Sequence, residues 1–185
     1  MRWEALFDDL EAQFDAEQAV ELAAEISDRT RRELALVRLA DRLRPARGSV
    51  ITARVAGIGV VEGNVAGVGA DWLLLAEIGG REALIPATSI VSITGLGAMS
   101  AAPNSEGEVA RRLGLAHVLR AVARDRAAVT IGYLDGASSS GTIDRVGADF
   151  LEIAEHPPAE ARRASAVQTV RTVPFSALAV VRLAR

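Results

Sequence analysis

The chain contains no cysteine and no lysine, few aromatic residues and no long apolar run. Without cysteine there can be no disulfide, no thiolate nucleophile and no Cys-ligated zinc. Aromatics make up only 4% of 185 residues, so the hydrophobic half of the chain must build its core from Ala, Val, Leu and Ile. No apolar stretch reaches the roughly 18 residues of a membrane-spanning helix. Met1-Arg2-Trp3-Glu4 opens without the apolar segment of a signal peptide. A cytoplasmic location without a membrane partner is therefore expected. All 21 basic residues are Arg, and with the heavy use of Ala and Gly this points to a GC-rich bacterial genome of the actinobacterial kind.

What the chain does have is a repeat. Val68-Gly69-Ala70-Asp71-Trp72-Leu73 returns as Val146-Gly147-Ala148-Asp149-Phe150-Leu151, 78 positions later. The same offset relates Thr52 to Thr130, Gly63 to Gly141 and Val65 to Ile143. Further on, Ile85-Pro86-Ala87-Thr88-Ser89-Ile90 is answered at 88 by Val173-Pro174-Phe175-Ser176-Ala177-Leu178, so the second copy carries ten extra residues. A repeat defines the architecture before any other signal does. Charge is segregated as well. Residues 1–28 hold nine acids against Arg2, a net −8, while residues 29–185 carry +5.

Trp3, Leu6, Phe7, Leu10, Phe14, Val20, Leu22, Ala23 and Ile26 recur at helical spacing and predict an acidic amphipathic helix over 3–26. Asp28 to Glu33 reads as a break and restart, with Thr30 and Glu33 as a capping pair. A second helix follows through Leu34, Leu36, Leu39 and Leu43, stopping before Pro45. Strands are expected at 50–55, 60–66, 72–78, 82–85 and 90–93, with a hairpin at Gly79-Gly80. Residues 97–107 form a linker. The second copy repeats the helix around Arg111 to Val122 and the strands at 128–134, 139–145, 150–155, 167–173 and 178–183. Its extra residues, His156-Pro157-Pro158-Ala159-Glu160 onward, fall in the third hairpin. The expected divisions are 1–28, an acidic amphipathic helix; 29–96, a helix plus barrel; 97–107, a linker; and 108–185, a second helix plus barrel.

A short helix followed by five bent antiparallel strands resembles the Sm-like family. The second unit carries the resemblance best, through Leu134-Asp135-Gly136, Gly141-Thr142-Ile143, Asp149-Phe150-Leu151 and Val173-Pro174 with Ser176-Ala177-Leu178-Ala179-Val180-Val181. It covers about residues 30–95 and 108–184. SH3-like small barrels share the strand count. The expected fold class is mostly β with N-terminal helices (α+β): two tandem helix-plus-five-stranded Sm-like small barrels behind the acidic helix. The family implies RNA binding and ring assembly. Near the position where its RNA-binding members place a base-holding Asn, this chain has Leu73 and Leu151. Where the bacterial host-factor branch has Lys-His, it has Ala87-Thr88 and Phe175-Ser176. The uridine-reading pocket is missing from both copies.

No set of side chains suited to nucleophilic or acid–base chemistry stands out, and no catalytic, cofactor-binding or metal-ligating residue is assigned. His117 and His156 are read as incidental, and Ser138-Ser139-Ser140 as a strand edge or turn. Trp72 and Phe150 are read as core. Gly63 and Gly141 are expected at strand bends. Gly69 and Gly147 should supply positive φ in their turns, and Asp71 and Asp149 should bond their own turn's amides. Arg31, Arg32, Arg38, Arg42, Arg111, Arg112, Arg120 and Arg124 are the candidate contacts to a partner. These features favour a non-catalytic interaction and assembly module, forming a homo-oligomer (dimer or trimer) and engaging a protein partner. The alternative is an RNA- or DNA-associated regulator that grips phosphates through Arg without reading bases.

Overall fold

The computed structural model describes residues 14, 18, 21–22, 25–103, 105, 107, 113–157 and 167–184. The chain divides into two units, Met1–Arg38 and Leu39–Arg185. Most of the acidic arm lies outside the described residues. In the first unit, residues 14, 18 and 21–22 are helical, and so is the run 25–35, α1. The break expected at 28–33 is absent. Thr30 does not cap a new helix: its hydroxyl donates one turn back to the Ile26 carbonyl at 2.8 Å. Arg29–Glu33 and Asp28–Arg31 pairs at helical spacing support the same run. The interruption falls at 36–38 instead, so the helix expected through Leu34–Leu43 survives in this unit only as the end of α1.

The second unit opens with α2 (Leu39–Leu43). Ten strands follow: β1 (Val50–Val55), β2 (Gly59–Val68), β3 (Trp72–Glu77), β4 (Glu82–Pro86) and β5 (Ile90–Thr94), then β6 (Ala128–Tyr133), β7 (Ser138–Val146), β8 (Phe150–Glu155), β9 (Thr169–Pro174) and β10 (Leu178–Leu183). The second repeat's helix, α3 (Leu115–Arg124), precedes β6. Alternation explains most of these strands. β1 and β2 bury every second residue, the pattern of a sheet with one face on a core. Gly79 and Gly80, at φ +94° and +76°, make the tight β3–β4 turn that a side chain would resist.

All ten strands form one antiparallel sheet in the order β5-β1-β2-β3-β4-β10-β6-β7-β8-β9. The expected pair of small barrels is therefore corrected. Within each repeat the order is fifth-first-second-third-fourth, but the fourth and fifth strands of one repeat do not pair with each other. β4 pairs instead with β10 of the other repeat. Neither five-stranded unit closes on itself, because β4 takes its second partner from the neighbouring repeat.

The burial pattern reflects this joint. β4 and β10 each bury four consecutive residues, as strands covered on both faces do. One core cluster gathers Leu43, Ile51, Val65, Leu73, Leu75 and Ile85 with Ala179 and Val180 of the second repeat. The other gathers Leu119, Ile131, Ile143, Leu151 and Ile153 with Leu84 of the first. Each repeat thus lends strand residues to the other's core.

Candidate interaction surface

The joint between the repeats is built from a short stretch of ladder and several polar locks. Leu84 lies opposite Val181 and Ala83 opposite Arg182. Arg182 reaches back to Glu77 at the end of β3 with two hydrogen bonds, Nε to Oε2 at 2.9 Å and Nη2 to Oε1 at 2.8 Å. Both side chains are largely shielded, 21% exposed for Arg182 and 14% for Glu77. The Arg182 hydrogen bonds hold the Glu77 carboxyl below the ordinary glutamate value of 4.5; burial opposes this, and the charges of Arg182 and Arg81 reinforce it. Such charge-assisted, two-point pairing is among the stronger polar contacts. Ser89 Oγ lies 2.7 Å from the Pro86 carbonyl and 3.0 Å from that of Ala179, sharing one proton between the repeats.

A second lock joins the first repeat's turn to the second repeat's helix. Gly114 at the start of α3 has no side chain to cap it. Asp71 supplies the cap from a distance: its Oδ1 accepts the Leu115 amide at 2.8 Å. Next to it, Trp72 Nε1 donates to the Leu113 carbonyl at 2.7 Å. The turn role expected for Asp71 is thus replaced by a cap across the chain. Asp71 and its repeat counterpart Asp149 are both exposed, but among the described residues the Asp149 carboxylate makes no such bond. The backbone roles do match: the Asp71 carbonyl accepts from Ala87 and the Asp149 carbonyl from Phe175. Trp72 is partly buried against the second repeat's core, a placement that its position in the first repeat did not indicate.

The four glycines have different reasons from those expected. None of Gly63, Gly69, Gly141 and Gly147 has positive φ. At Gly63 and Gly141 a Cβ would overlap the carbonyl of Ala76 or Ala154 on the neighbouring strand, so close strand approach requires glycine there. Gly69 and Gly147 are covered by the rings of Trp72 and Phe150. The kinks themselves come two residues further on, as register shifts between Val65 and Gly67 and between Ile143 and Arg145.

The described candidate arginines are divided between the two units, Arg31, Arg32 and Arg38 in the first and Arg42, Arg120 and Arg124 in the second. Arg31 is exposed on α1, 3.6 Å from Asp28, and Arg32 and Arg38 are exposed nearby. Arg42 donates to the carbonyls of Gly97, Ala98 and Met99, strapping the start of the linker onto α2. Arg120 donates to the Gly147 carbonyl at 2.7 Å, and Arg124 is exposed at the end of α3. Arg111 and Arg112 lie outside the described residues. His117 is exposed on α3. His156 is buried, with Nδ1 2.9 Å from the Pro157 carbonyl and Nε2 2.8 Å from Thr142 Oγ1. A carbonyl only accepts, so Nδ1 carries a proton and donates to Pro157, while Nε2 shares a hydrogen bond with the Thr142 hydroxyl. That pair anchors the start of the extra segment, most of which lies outside the described residues.

The outer ends of the sheet are β5 and β9, each with one neighbour. β9 is exposed along nearly its whole length. Its Arg171 holds Glu155, Nε to Oε1 at 2.6 Å, and the Ser139 hydroxyl bonds the same carboxylate. The Glu155 carboxyl is lowered by Arg171 first and Ser139 second, against some burial. Glu155 occupies the repeat position of Glu77, so both repeats hold a carboxylate here. The arginine that serves it comes from the other repeat in one case and from the same repeat in the other. The 78-residue offset carried that signal, but neither glutamate nor its arginine was singled out from sequence. Among the described residues no helix is long and apolar enough to cross a membrane. Comparison with protein-family models, curated proteins and solved structures finds no match.

Proposed function

We propose that the chain is a non-catalytic, Sm-like interaction and assembly module of a bacterial cytoplasm, acting through protein–protein contacts and self-association. One observation carries this reading. Two repeats are already joined edge to edge through β4 and β10, and the same two kinds of strand remain open at the ends of the sheet. Open strands present unpaired backbone groups and seek partners. Engagement of Arg42 and Arg120 by backbone carbonyls weighs against the alternative, an RNA- or DNA-associated regulator using Arg for phosphate contacts. Light scattering at micromolar concentration is the test. A mass at a dimer or trimer of the 19.4 kDa chain is expected, and a mass of one chain counts against the reading. Filter binding to generic RNA and duplex DNA across a salt series tests the alternative, which predicts binding that falls steeply with salt.

A further inference from the structure

A cavity opens where the two repeats join, in the middle of the sheet and away from its end strands. It holds about 800 Å³, within the size range of small-molecule sites. The first repeat contributes Ile78 and Arg81 from the β3–β4 connection. The second contributes Thr130 of β6 with Arg182 and Leu183 of β10. Neither repeat builds it alone. The counterpart β8–β9 connection carries the ten extra residues, and the counterpart of Arg182 is Thr94, so this set of side chains occurs once in the chain.

Among the described residues the lining carries two arginines and no acid. Glu77 neutralises one of them, accepting from Nε and Nη2 of Arg182 and leaving Nη1 without a partner among the described residues. Arg182 is therefore fixed at 21% exposure before any ligand arrives, and it has little side-chain freedom left to lose on binding. The Arg182 hydrogen bonds hold the Glu77 carboxyl down and the Arg81 charge adds to them, so Arg81 lies close to the same pair. Arg81 is itself exposed and, among the described residues, is at salt-bridge distance from no carboxylate. Two guanidiniums around one carboxylate leave the site positive. Beside them the wall is apolar and open to water, with Ile78 85% exposed and Leu183 43%. Thr130 Oγ1 lies 3.1 Å from Ser140 Oγ, and either hydroxyl can donate. When Ser140 donates, the Thr130 proton is free for an acceptor in the cavity.

We propose that this cavity binds a small organic carboxylate with an apolar body, an aliphatic acid in the simplest case. Its two oxygens meet the guanidinium forks of Arg81 and Arg182, which suit a planar carboxylate. Its chain covers Ile78 and Leu183 and takes their surface out of water. An inorganic anion satisfies the arginines but leaves the apolar wall wet. The inference goes beyond the assembly reading and does not depend on it, because the site lies within one chain.

Calorimetric titration of the full chain with octanoate, acetate and octanol tests it. Octanoate is expected to bind at a single site per chain. Acetate and octanol should each bind about tenfold more weakly or worse, since each lacks one half of the contact. Arg81→Gln should weaken octanoate binding by about tenfold, and Ile78→Ser several-fold. Arg124→Gln, at an exposed arginine at the end of α3, should leave it unchanged. Melting curves confirm that each variant is folded; Arg182 is left intact because its loss breaks the lock with Glu77. Octanoate should also move the amide resonances of Gly79, Leu183 and Ala184. Absence of octanoate binding overturns the inference, and so does acetate or octanol binding as tightly as octanoate. An affinity untouched by Arg81→Gln, or resonance shifts confined to other residues, overturns it as well.

Discussion

Glu77→Gln is the sharpest probe of the joint between the repeats. It keeps the shape of the side chain and removes only its charge. The parent pair makes two hydrogen bonds to an ionised acceptor, at 2.9 and 2.8 Å, with the glutamate 14% exposed. A hydrogen bond to a charged group contributes about 1.5–3 kcal/mol net, and Gln retains part of one such bond. A loss of about 1.5–3 kcal/mol at pH 7 is therefore expected, a sizeable share of the roughly 5–15 kcal/mol of a folded domain. Since Arg182 lowers the Glu77 carboxyl in the folded chain, the stabilisation is fully present above the unfolded glutamate value. It fades as the pH falls below 4.5 and through the lower folded value. Urea titrations of parent and variant at pH 7 and near pH 3 should show a gap that closes on acidification. Glu155→Gln serves as a control, because its arginine is 53% exposed and water screens such a pair, so a smaller loss is expected there. A gap that persists undiminished near pH 3, or an equal effect at Glu155, would refute the argument that charge pairing locks the joint.

Two further substitutions separate the remaining contacts. Asp71→Ala removes the cap on α3 and should cost about 0.5–2 kcal/mol by thermal melting, whereas Asp149→Ala at the counterpart, whose carboxylate caps no described helix, should stay within about 0.5 kcal/mol; equal losses would show that the cap is not what Asp71 provides. Gly141→Val drives a side chain into the Ala154 carbonyl and should destabilise by about 1–3 kcal/mol, so a melting temperature within a degree of the parent's would show that the strands can separate there at little cost.

Local features of this protein could be read without its structure. Alternating apolar residues placed β1, and short apolar runs placed β8 and β10, at the residues finally observed, and the Gly79-Gly80 turn marked the β3–β4 hairpin, because strand period and turn sterics are properties of neighbouring residues. The repeat likewise announced two like units. Tertiary structure alone decided how those units meet. β4 and β10 are apolar strands whose pattern suits either a closed barrel or a shared sheet, and only the packing of Leu84 and Val180 into each other's cores selects between them. The polar locks were equally hidden: Asp71 finds Leu115 across 44 residues and Glu77 finds Arg182 across 105. No local rule links such positions. Glutamates at equal places in a repeat look equivalent in sequence, and they differ in the fold because Glu77 is reached by Arg182 of β10, beyond β4, while Glu155 is held by Arg171 of the adjacent edge strand β9.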